Sequence, residues 1–441
     1  MLRCTCLLLS LVAAIAGAND DPKSVFLRNW PQWRGPLNTG EAPSADPPLN
    51  WSETDSVRWK VEIPGEGSGT AAVWEDRVFV MTAIETDRPA EHPPAADEGA
   101  RTKPPVNLYQ FVVICLDRQT GETLWQRVAR ENVPREGRHA TNTYASASPI
   151  TDGERIWCSF GSQGLYCFDI DGNLIWDRDL GEMRTRRGWG EGATPARGGD
   201  VIVVPWDREE DSFVAALDAR TGDELWRRER DEPTGWSTPL IIDRGDGQQA
   251  ILNGTNRVRS YDLSSGELLW ECGGQTVNAI PSPVADQRQV YVMSGYQGSH
   301  AAAVSVDADG DVTGSPQVSW TVDRGTPYVP SPVLLDGRLY YTAVNANVLT
   351  CVNAQTGQVL FGPERLPGVA NLYGSPVAAA GRIYFTSREG VTTVITAGDQ
   401  FEVLATNRLD EGFDASPAVA GTQIFLRGKS HLYCLEANPT R

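Results

Sequence analysis

Histidine is scarce. Only His92, His139, His300 and His431 occur in 441 residues, and no two stand at metal-ligand spacing. The patterns C-x-x-C-H, H-E-x-x-H, G-x-x-x-x-G-K and G-x-S-x-G are absent. Their absence removes covalent haem attachment, zincin chemistry, a phosphate loop and a nucleophile-elbow hydrolase. Positive charge is short as well: 39 Lys and Arg face 57 Asp and Glu, for a formal charge of −18. Such a surface repels phosphate backbones and anionic lipid, so no nucleic-acid partner is expected. Beyond the first residues no apolar run approaches the eighteen needed to span a bilayer, so no membrane insertion of the mature chain is expected. Helical periodicity is also hard to find.

What is present begins with an export signal. Arg3 supplies a positive start, Leu7 to Ile15 is apolar except for Ser10, and Ala16-Gly17-Ala18 is a small-x-small cleavage site. Residues 1–18 are therefore read as a signal peptide and the mature chain as exported, periplasmic or secreted. Cys4 and Cys6 precede or open the apolar run, so no lipid-acceptor cysteine follows it. Six cysteines remain in an oxidising space. Cys115, Cys167, Cys351 and Cys434 share one repeat position and are read as small core fillers. Cys158 and Cys167 flank Gly161-Ser162-Gln163-Gly164 symmetrically, which makes them a candidate disulfide.

Internal periodicity dominates the rest. A small residue followed by proline recurs at Ser148, Thr194, Thr238, Ser282, Ser331, Ser375 and Ser416, with a degenerate eighth member at Thr70-Ala71-Ala72. Each precedes two β-rich runs, a turn such as Asp218-Ala-Arg-Thr-Gly222, and a closing Leu-Trp. The closing positions Trp125, Trp176, Trp226, Trp270, Trp320, Phe361 and Ala405 lie 41 to 51 residues apart. That is the length of four short strands, and eight members predict an all-β, eight-bladed propeller of four-stranded antiparallel blades. The small-Pro strand is expected innermost, where the axis is crowded and the missing proline N–H costs no ladder bond. In the turn, Asp accepts following amides and Gly takes positive φ, while Trp covers the seam between blades. A spare strand, Val57 to Val61, precedes the first blade, and the chain ends without a final fourth strand. The N-terminal strand is expected to complete the last blade and close the ring. The organisation read is an extended segment over 19–48, the propeller over 49–437 and a tail over 438–441. A flexible insertion in blade one is expected over 85–106.

These repeats, together with Trp30-Pro31-Gln32-Trp33-Arg34-Gly35-Pro36, resemble the PQQ-binding-like β-propeller repeat family. That superfamily holds quinoprotein alcohol dehydrogenases and is similar to the BamB-type outer-membrane assembly propellers. The resemblance implies either pyrroloquinoline quinone with Ca²⁺ oxidising an alcohol or sugar, or a non-catalytic scaffold. The chain departs from both groups. It has no adjacent cysteine pair, no haem domain, no local motif matching the calcium-binding Glu, Asn and Asp, and no lipidated cysteine. The reading preferred on this basis is an exported binding or scaffold protein that recognises a small polar or anionic ligand, or an envelope protein partner. A PQQ-dependent oxidoreductase is the alternative.

Ligands of propellers bind at a channel mouth, over the loops leading into the inner strands. These loops supply the basic run Arg184, Arg186 and Arg187, then Trp189 and Glu191, and later Trp236, Asn278, Tyr328, Tyr373 and Asp414. Aromatic faces with amides and carboxylates suit a planar polar ligand or a sugar, and equally could plug the channel. The arginines suit a carboxylate or phosphate, or stand solvated. Two acidic runs, Asp169 to Asn173 and Asp307 to Asp311, imitate calcium loops. Both lack the closing Glu and fall at repeat turns, so turn chemistry is expected there.

Overall fold

The computed structural model describes residues 21–245 and 247–437. The expected signal peptide, residues 1–18, and the tail 438–441 lie outside the described residues. Eight antiparallel sheets follow one another along the chain, each running from an inner to an outer strand. Blade three is representative, with Ala196–Gly198, Val201–Trp206, Phe213–Asp218 and Glu224–Glu229. The second and third strands are buried at nearly every position, because a neighbouring blade covers each face. The outer strand is buried only at Trp226. Blade four adds a fifth strand, Gly310–Asp311, parallel to Leu268–Gly273.

Closure follows the expected latch. Val57–Glu62 pairs with His431–Glu436 and places Trp59 opposite Cys434. The inner strand of blade one, Ala72–Trp74, then packs beside that of blade eight, Ala418–Ala420.

The tryptophan belt works by a shared contact. Nε1 of Trp59, Trp125, Trp176, Trp226 and Trp320 donates to a backbone carbonyl of the following blade, at 2.8–3.2 Å. The glycine of that blade's turn lies beneath the indole: a Cβ on Gly222 would come 2.6 Å from Trp176, and φ there is +73°. Glycine is thus required twice over at this position. Where the repeat offers only Ala405, Trp51 from the N-terminal segment enters the same buried cluster and stacks on Tyr384 at 6.3 Å.

Three expectations change. Cys158 and Cys167 are free thiols. A 3₁₀ turn over Gly161–Gln163 slips the hairpin by one residue, pairing Cys158 with Tyr166 and Trp157 with Cys167. A one-residue slip sends the two side chains to opposite faces, and they fall in different buried clusters. The N-terminal segment is not extended throughout, since Pro22–Arg28 is a helix with Asp21 at its N-cap. In blade one the second strand runs from Arg77 to Pro89, so only residues 90–106 form a loop. At the two acidic runs, Asp169 accepts from the amides of Asp171 and Asn173, and Asp311 from Thr313, which is turn chemistry. No cluster of three or more potential metal-ligating acids, histidines or cysteines occurs among the described residues.

Candidate functional site

The inner strands have a free edge, so the N–H of each small residue needs an acceptor from elsewhere. The next blade supplies it. Thr70 N donates to Ser148 Oγ, Ser148 N to Thr194 Oγ1, Thr194 N to Thr238 Oγ1 and Thr238 N to Ser282 Oγ, at 2.9–3.2 Å. The series continues from Ser282 to Ser331, Ser331 to Ser375 and Ser375 to Ser416, at 2.8–2.9 Å. Thr70 Oγ1 donates to Ser416 O and joins the ends. Crowding accounts for small residues here; the amide ring accounts for hydroxyls.

Beyond this ring the N-terminal segment fills the channel. Trp30 exchanges backbone bonds with Val73, Pro31 O accepts from Thr151 N, Thr39 O from Leu334 N, and Ala42 N donates to Ala378 O. Each partner lies in the inner strand of a different blade. Arg34, fully buried, donates to the carbonyls of Pro332, Pro376 and Thr39. Both prolines belong to small-Pro pairs, so the guanidinium ties blades six and seven together. Trp33 Nε1 donates to Ser282 Oγ at 3.1 Å, and its ring forms the floor of the space above.

That space is a funnel of about 420 Å³. Hydroxyls of Thr194, Thr238, Ser282, Ser331, Ser375 and Ser416 encircle its base, and its walls are Trp189, Trp236, Tyr296, Tyr328 and Tyr373. Trp189 and Trp236 lie 6.4 Å apart, and Tyr296 stacks on Tyr328 at 4.8 Å. Asp414 is the one carboxylate among the lining residues, and Arg388 clasps it while lying over Tyr373 at 4.2 Å. Asn142 also lines the wall, but its Oδ1 accepts from Thr143 N and Ser146 Oγ.

Trp189 is held by a loop, residues 183–192, that rests on two carboxylates. Glu136 accepts from Thr185 N and Oγ1, and Glu191 accepts from Ser162 N and Oγ. Desolvation pushes both up to about 7, against the opposing pull of these donors, and the charge of Glu136 raises Glu191 further. Both also line a smaller cavity of about 50 Å³.

Five of the ten expected site residues line the funnel together: Trp189, Trp236, Tyr328, Tyr373 and Asp414. The other five stand behind or beside it. Arg184 pairs with Glu210 at 2.8 Å, Arg186 donates to Asn278 Oδ1 at 3.2 Å, and Arg187 lies over the Trp189 ring at 5.4 Å. Glu191 supports the loop. The blade-one loop docks on this basic run, through Arg101 N to Arg187 O and Thr102 to Gly188 O. Sequence reasoning missed Trp33, Tyr296 and the hydroxyl ring as parts of the funnel. Only the recurrence of Ser and Thr, rather than Ala or Gly, signalled the ring.

A family model described as "Outer membrane protein assembly factor BamB" matches residues 110–363, more than half of the chain. The chain belongs to the BamB-like PQQ-repeat family. Among solved structures, this chain is similar to BamB from Moraxella catarrhalis at 15% identity, with a TM-score of 0.55 over 82% of this chain and 99% of that one. It is also similar to a quinohemoprotein alcohol dehydrogenase from Comamonas testosteroni at 10% identity, with a TM-score of 0.65 over 96% and 83%. At these identities the likeness is one of fold. No curated protein sequence matches.

The BamB-like fold raises the question of a quinone and Ca²⁺ in this funnel. Ca²⁺ takes six to eight oxygen ligands. Here Asp414 is engaged by Arg388 and the Asn142 oxygen by its own loop. Trp33 occupies the floor. The residues present do not fit a quinone–calcium pair.

Proposed function

We propose that this BamB-like propeller is an exported, non-catalytic binding protein whose small polar ligand enters the funnel. The observation that carries the reading is the blind channel. Its far end is filled by Trp30–Ala42, its base is a hydroxyl ring, and its walls are aromatic with Asp414 paired to Arg388. Such a site has aromatic area to bind with and polar groups to orient; its carboxylate is held by Arg388, and its one imidazole, His139, meets Thr141 through Nδ1 with no carboxylate behind it among the described residues. Calorimetry with pyrroloquinoline quinone and Ca²⁺, run beside a dye-linked alcohol and sugar oxidation assay, separates this reading from its rival. Neither heat nor dye reduction is expected. Stoichiometric binding with dye reduction would replace the reading with the oxidoreductase one.

A scaffold role toward an envelope protein partner has one observation of its own. The outer strands expose Leu124, Leu174, Leu225 and Leu268 at 46–54%. Each stands one or two residues before Trp125, Trp176, Trp226 or Trp270, and the first three lie on strands at the outer edge of their blades, where apolar residues favour association.

A further inference from the structure

We propose that the ligand is a neutral saccharide, with its terminal ring seated on the hydroxyl ring above Trp33. This rests on the binding reading above and adds the chemical class. It follows from hydrogen-bond accounting. A hydroxyl has one donor and two acceptor lone pairs. At Thr194, Thr238, Ser331, Ser375 and Ser416 one lone pair takes the neighbouring blade's amide. The O–H of each has no partner among the described residues, and all five line the funnel. Each therefore offers the ligand one donor and one acceptor. That pattern matches sugar hydroxyls, which are themselves both.

The alternatives fit less well. An anion would use the donors only, beside Asp414 and inside a protein of net charge −18, with no Lys or Arg among the described lining residues. A quaternary ammonium would seek the aromatic faces, but Arg388 already covers Tyr373 at 4.2 Å and Arg187 covers Trp189 at 5.4 Å. These guanidinium groups repel a second cation. The C–H faces of a pyranose need only the flat apolar area that Trp236 and the Tyr296–Tyr328 pair supply. The volume of about 420 Å³ lies within the ordinary range of small-molecule sites.

The test is fluorine NMR of the full-length protein labelled with 5-fluorotryptophan, with Trp33 assigned through Trp33→Phe. The probes are cellobiose, maltose, N,N′-diacetylchitobiose and mannose, with glucuronate and choline as charged controls. A small-molecule extract of the cell envelope serves as a class-blind probe. At least one neutral saccharide is expected to shift the Trp33 and Trp236 resonances saturably. Its affinity should fall about tenfold in Trp236→Ala or, if that variant does not fold, in Tyr296→Ala. If the extract shifts Trp33 while no neutral saccharide does, or if only glucuronate or choline does, the saccharide assignment is overturned and the binding reading stands. If nothing moves Trp33, both fall.

Discussion

The two ends of the channel are held in different ways. At the closed end the N-terminal segment is bound through backbone groups, and its buried guanidinium, Arg34, meets only carbonyls. At the open end the loop carrying Trp189 is bound through the side chains of Glu136 and Glu191. Burial lowers Arg34 to about 9, so it stays charged through neutral pH, whereas the two carboxyls stand near 7. The floor is therefore fixed across the pH range where the mouth can change.

The largest effect expected is at the floor. Arg34→Met removes the donor of the buried Pro332 and Pro376 carbonyls and should cost about 3–5 kcal/mol, measured by urea unfolding. A cost under about 1 kcal/mol would mean that the segment does not brace the blades. Next comes the belt: Gly222→Ala places a methyl against Trp176 at a positive φ, and a loss of about 2 kcal/mol is expected from the same measurement. Ser331→Ala removes the acceptor of the buried Ser282 amide and should cost about 1–2 kcal/mol. Ser331→Thr restores the hydroxyl and should recover part of that loss.

The mouth is tested by pH. A carboxyl whose folded pKa is raised binds its proton more tightly in the folded state. Its contribution is complete below the ordinary value near 4.5 and is lost as pH climbs through about 7. Stability should therefore decline between pH 5 and 8 by an amount that Glu136→Gln reduces. An unchanged slope in that variant would show that Glu136 is not the group responsible. The smallest effect is at the surface, where the exposed Arg220–Asp200 pair should contribute at most about 0.5 kcal/mol in a double-mutant cycle.

Much of this architecture was legible because it repeats. The belt, the turns and the latch of Val57–Glu62 on the last blade each recur or complete a recurring unit, so local pattern sufficed. Trp189, Trp236, Tyr328 and Tyr373 were legible because each lies in a loop that ends at a small-Pro pair. Trp33 was not, since its partner Ser282 lies 249 residues away and neither position announces the other. The cysteine pairing failed for a local reason: symmetry about a turn predicts register only if the turn is symmetric, and the 3₁₀ turn at Gly161–Gln163 is not. The arginine run looked like an anion site because its partners Glu210, Asn278 and the Trp189 ring are supplied by the fold.

Hydrogen exchange at the closed end distinguishes a blind channel from an open one. The amides of Trp30, Ala42, Leu334 and Ala378 should be as protected as the ring amides of Ser282 and Ser375, at pH 5 and pH 8 alike. Exchange of Trp30 and Ala42 at the rate of an unstructured chain, with the propeller strands still protected, would mean that the channel is open at both ends and that the segment braces nothing.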